Sequence, residues 1–175
     1  LLALAIHGYH PYAEDGGLYM AEVKRQLDPS LYPHGAEFVA GHLRFSFFGS
    51  LTVGLVRWSR MTLGTVLLLL YVASLWTTLL AAWLLAARCY AARVARVGAV
   101  TLLATWITLP IAGTSLMLMD PYVTARSIST PCVLLALACT IEFLRPSASG
   151  PARRRGVFAL LCAALLLAAI MHPLM

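Results

Sequence analysis

Long apolar runs separated by short charged connections fill most of this chain, and one long polar passage near its start interrupts them. Residues 61–87 carry no charge and exceed the ~20 apolar residues that cross a bilayer. A second run covers 97–119, where Pro110 and Gly113 predict a kink near the end. The short polar link 120–126 leads to a third run at 127–144, and a last one covers 157–175. Residues 1–6 read as the end of a first span. Residues 38–58 are ambiguous: their charge-free core, 45–56, is short and holds Ser46, Gly49, Ser50, Thr52 and Gly54. That length favours an interfacial or re-entrant helix over a span.

The polar passage begins at His7, and residues 7–60 are expected to form one external loop. Within it, 16–27 carries a helical pattern, with Tyr19, Val23 and Leu27 four apart and Met20 beside them. Glu22, Lys24 and Arg25 fall on another face, which suits a helix lying in the membrane interface. Asp28–Pro29 ends it. These patterns predict an all-α membrane protein: a multipass transmembrane helix bundle in one domain, with an external amphipathic, juxtamembrane helical loop.

Composition agrees. The chain is 61% hydrophobic and 11% charged, against roughly 25% charged residues in a soluble domain. Its net charge of +6 comes mainly from arginines between the apolar runs, a topological signal that does not point to nucleic acid. Connections 88–96 and 145–155 hold seven of the thirteen Lys and Arg, so both are expected on the cytoplasmic side. Six of the seven acidic residues and all five histidines then fall on the opposite, external side. The chain begins and ends inside apolar runs and is expected to be part of a longer protein. Cys89, Cys132, Cys139 and Cys162 lack CxxC spacing and read as packing residues. Nucleotide-loop, dinucleotide, zinc-protease and serine-hydrolase motifs are absent from the sequence.

Three constellations could carry chemistry. Glu14–Asp15 precede Gly16–Gly17 and follow a turn rich in rings: His7, Tyr9, His10 and Tyr12. A carboxylate here could act as a general base or hold a divalent cation, while the rings could bind sugar or lipid. Alternatively, Asp15 is simply the N-cap of the following helix. Asp120, Tyr122 and Arg126 form the second group. Asp120 and Arg126 could hold a cation and a phosphate respectively, or could be a solvated loop acid and a snorkelling arginine. His172 is the third, either packed or completing a polar cluster with Asp15 and Asp120. Glu142 is expected to face headgroups or pair with Arg145.

The order of these features resembles the N-terminal module of GT-C-type membrane glycosyltransferases, which use polyprenyl-phosphate sugar donors. In that superfamily the first external loop bears an acidic motif followed by a juxtamembrane helix, matched here by Glu14–Asp15 and residues 16–27. Asp120 matches a second acid that some members place between the third and fourth spans. The stretches YHPYAEDGGLYMAEVKRQLDPSLYP, MDPYVTARSIST and MHPLM also resemble bacterial multipass proteins of this general type. The resemblance implies sugar transfer from a lipid-linked donor at the external, periplasmic face of a bacterial inner membrane. It casts Asp15 and Glu14 as catalytic, with Arg126, Tyr122, His10 and Tyr12 binding substrate. A magnesium or manganese ion would sit on Asp15, Asp120 and His172, and residues 45–56 would shape a groove for the prenyl chain. A transporter, or a scaffold that kept the fold without its chemistry, are the alternatives.

Overall fold

A computed structural model describes residues 1–41, 46–106, 119–145 and 150–172. All regular structure among them is helical: α1 (Leu2–His7), α2 (Asp15–Leu27), α3 (Ala36–Gly41), α4 (Phe48–Ser59), α5 (Leu63–Cys89), α6 (Arg93–Thr105), α7 (Ala125–Leu144) and α8 (Pro151–Met171). Three of these, α5, α7 and α8, are long and apolar enough to cross a membrane. Three such helices mark an integral membrane protein.

Local chemistry sets the ends of the long helices. Thr62 caps α5 by accepting a hydrogen bond from the Thr65 amide, and 27 residues carry the helix about 40 Å. At the start of α7 the Thr124 amide donates to Ser127 Oγ at 3.0 Å and the Ser127 amide to the Thr124 carbonyl at 3.1 Å, so both find partners where the helix begins. Pro131 lies inside α7, where it removes one backbone donor. Pro151 begins α8 after Gly150, the position where its missing N–H costs nothing. This start lies upstream of the apolar run, so Arg153, Arg154 and Arg155 are helical and not part of a linker.

Ion pairs and backbone contacts define how the long helices run. Arg88 near the end of α5 meets Glu142 near the end of α7 at 2.9 Å, so these two helices are parallel. Arg153 in the first turn of α8 meets the same carboxylate at 2.7 Å, so α8 runs back beside α7. Glu142 thus pairs with Arg88 and Arg153. Arg145, its expected partner, instead donates to the backbone carbonyl of Arg88. At the other end, Ser46 Oγ donates to the Met171 carbonyl and the Phe47 amide to that of Ile170.

The core lies where the N-terminal half of α5 meets α2, α4 and the segment 119–125. Met20, Val23, Phe48, Leu67, Tyr71 and Val123 are buried there. Only 17% of the most apolar stretch of α8 is buried within the protein, and Leu165, Leu166 and Ile170 are exposed. An apolar helix left bare in this way suits lipid as its solvent. The passage 38–58 divides into α3 and α4, and neither has the length of a span. Of the run 97–119, α6 describes the first part, and Pro110 and Gly113 lie outside the described residues.

Helix α2 buries the expected stripe, with Met20 and Val23 buried and Tyr19 and Leu27 half-buried. Glu22 departs from its expected polar face and is 5% exposed. Its carboxylate is satisfied by Arg25 at 3.1 Å and by the Gln26 amide at 3.0 Å. Burying a carboxylate is tolerable only with such partners.

Candidate functional site

The site is built by two segments more than a hundred residues apart in sequence. The His10 amide donates to the Pro121 carbonyl at 2.7 Å, docking the turn before α2 onto the turn before α7. Gly16 lets the two approach. A Cβ there would lie 2.9 Å from the Pro11 carbonyl oxygen and 3.2 Å from the Tyr122 ring. Glycine is needed here for packing. Tyr122 is fully buried under this contact, and its hydroxyl donates to Glu14 Oε2 at 3.3 Å.

The docking brings three charges together. Arg126, in the first turn of α7, places Nη2 at 3.4 Å from Asp15 Oδ2 and 3.4 Å from Asp120 Oδ2. The two carboxylate oxygens are therefore no further apart than twice that distance. Both pairs run through Nη2, so neither uses Nε or Nη1. The carboxylates differ in setting: the side chain of Asp15 is 40% exposed and that of Asp120 only 4%. Burial pushes the Asp120 carboxyl up to about 7, against the pull of Arg126, and the negative charges of Asp15 and Glu14 push the same way. Its second oxygen, Oδ1, is buried with no hydrogen-bond partner among the described residues.

Helix α2 starts one residue earlier than a cap at Asp15 would require. Asp15 is its first residue, Glu14 stands at the N-cap, and no side chain caps the helix. Glu14 adopts φ 44°, a left-handed conformation that costs a non-glycine residue of order 1–3 kcal/mol. Packing thus holds the acidic pair in a strained turn that leaves Asp15 turned toward Arg126.

The remaining sequence candidates divide. His172 follows α8, its Nδ1 buried without a partner among the described residues, and burial lowers its pKa, with Arg126 acting the same way. His10 contributes its backbone while its ring is exposed, and Tyr12 lies under Lys24 Nζ at 4.8 Å. Neither of those two side chains hydrogen-bonds to the charged cluster. Among the described residues, no three of His, Cys, Asp and Glu gather into a metal-ligand set. The position between the two acids is taken by a guanidinium, so these residues do not fit a divalent cation.

Two features were not anticipated from sequence. Tyr71 of α5 donates to the Gly8 carbonyl and stacks on Tyr9 with ring centroids 5.0 Å apart. A lone tyrosine in a long apolar run is a faint signal of that role. The second is the space between helices. A cavity of about 10 Å³, lined by Ser74, Thr78, Asp120, Arg126, Ser127 and Thr130, has room for about one water. It adjoins an apolar cavity of about 380 Å³ between α5 and α7, reaching Leu167 of α8. Ser74 and Ser127 line both.

No protein-family model, curated protein or solved structure matches this chain.

Proposed function

We propose that the chain is the N-terminal part of a multipass membrane glycosyltransferase that takes its sugar from a polyprenyl-phosphate donor at the external face. The observation that carries this reading is the convergence of Asp15, Asp120 and Arg126 beside an apolar cavity between α5 and α7. A half-exposed carboxylate, a guanidinium and an apolar recess match the three parts of the reaction: a hydroxyl acceptor, a phosphate and a prenyl chain. The recess between α5 and α7 takes the place of residues 45–56 as the chain's seat, since Phe48 is buried in the core.

In this mechanism Asp15 accepts the proton of the acceptor hydroxyl as its oxygen attacks the anomeric carbon. The bond from that carbon to the phosphate oxygen breaks, and Arg126 stabilises the charge left on the phosphate. Asp120 fixes the guanidinium from its buried side. The orientation follows from the arginine-rich helix ends, which the positive-inside rule assigns to the cytoplasm.

Asp15→Asn removes the base while barely changing volume. Transfer from a polyprenyl-phosphate-linked sugar in detergent should fall by roughly a hundred- to ten-thousandfold, with expression intact. Full activity in that variant, or a requirement for sealed vesicles and a gradient, would overturn the proposal.

A further inference from the structure

Arg126 stands where the expected divalent cation would stand, and that disagreement is informative. A cation shared by Asp15 and Asp120 would need oxygen ligands from both acids at bonding distance. Instead, one guanidinium nitrogen lies 3.4 Å from an oxygen of each. Arg126 is itself only 15% exposed, so its charge is not spent in bulk water. It belongs to the capped first turn of α7, which fixes its backbone. Guanidinium offers a planar set of donors suited to phosphate oxygens, and Nε and Nη1 are used by neither carboxylate.

We infer that Arg126 is the built-in cation of this site: it takes the place of a divalent ion between Asp15 and Asp120 and meets an anionic phosphate directly. Its phosphate half rests on the glycosyl-transfer reading, and its cation half does not. Asp120 is then a positioning residue that holds the guanidinium from inside, and Asp15 holds it from the open side. A second positive ion would face repulsion from the first at a distance where charges still interact strongly. Asp120 also lines a space edged by the hydroxyl residues Ser74, Thr78, Ser127 and Thr130, with room for about one water.

The test uses the full chain in detergent, with Mn²⁺ and a short-chain polyprenyl phosphate as separate probes. Wild-type protein should show no Mn²⁺ binding that Asp15→Asn or Asp120→Asn removes, read by Mn²⁺ electron paramagnetic resonance. Arg126→Gln, shown folded by its melting profile, should bind Mn²⁺ at least about tenfold more tightly than wild type, because the competing charge is gone. The same substitution should weaken polyprenyl-phosphate binding about tenfold or more, and neither a chelator nor added Mn²⁺ should change wild-type binding of that lipid. Stoichiometric Mn²⁺ binding by wild type that either aspartate variant abolishes would overturn the inference, whether or not Arg126→Gln folds. So would a folded Arg126→Gln that gains no Mn²⁺. If the Mn²⁺ results hold but no polyprenyl phosphate binds, the built-in cation stands and the glycosyl-transfer reading falls.

Discussion

Two ion-pair clusters occupy opposite ends of the α5–α7 pair, and they are mirror images in charge. At one end a single guanidinium, Arg126, stands between two carboxylates. At the other a single carboxylate, Glu142, stands between Arg88 and Arg153. Segments 88–96 and 142–155 hold seven arginines and one glutamate, which accounts for the entire net charge of +6. Everything else is balanced, six acids against six bases. The ends also differ in how they are built. Asp120 is buried, Glu14 is strained and Gly16 has no room for a side chain. Arg153, by contrast, is 61% exposed. A cluster of both signs gathered by tight, strained packing is built differently from an exposed surplus of one sign. The first fits the ligand site proposed above; the second is the charge pattern that the positive-inside rule associates with membrane orientation.

This contrast can be broken most severely at Tyr122. Replacing a fully buried aromatic with alanine typically costs about 3–5 kcal/mol, and here it would also release the turn before α7 from Gly16. Tyr122→Ala should lower the melting temperature in detergent more than any single change at the arginine end.

The next effect depends on pH. With Asp120 raised to about 7, the native protein holds a proton that the unfolded chain releases near pH 4. Stability should therefore fall as pH rises from about 4 to about 7 and level off above it. Asp120→Asn should remove that slope and leave the protein more stable than wild type above pH 7, by on the order of 1–3 kcal/mol. Melting curves across that range check it, and an unchanged slope would show that Asp120 is not the group responsible.

The smallest effect is expected at Glu142. Its partners are partly to largely exposed, and such pairs contribute about 0–1 kcal/mol. Glu142→Gln should shift melting little, and raising salt should shrink the difference further.

The mirrored ends were unequally legible in the sequence. Apolar runs located α5, α7 and α8 to within a few residues at most ends, because an uncharged stretch of that length has few alternatives. The start of α8 was misplaced because Arg153–Arg155 mark where the apolar stretch ends, while Gly150–Pro151 marks where the helix begins. Charge contrast and helix boundary are separate signals. In α2 the apolar stripe was readable, but the burial of Glu22 was not, since it depends on Arg25 and Gln26 closing over it. At the site, Asp15, Asp120 and Arg126 could be named as candidates because the topology put them at one face. Their shared geometry could not be read. It depends on the Gly16–Tyr122 contact and on the His10–Pro121 hydrogen bond, which join segments far apart in the chain. The bridging role of Arg126 was hidden for the same reason, since a metal-like pair of acids looks alike in sequence with or without a guanidinium between them.

If the turn before α2 docks on the turn before α7 and so creates one site, a disulfide can join the two turns while leaving Asp15, Asp120 and Arg126 intact. In a background with Cys89, Cys132, Cys139 and Cys162 replaced by serine, His10→Cys and Pro121→Cys are introduced together, and the membranes are mildly oxidised. The 2.7 Å backbone hydrogen bond between these positions predicts that the two thiols disappear from maleimide-polymer labelling and return after reduction. Two thiols that stay free and label fully after oxidation would contradict the docking, and with it the shared site.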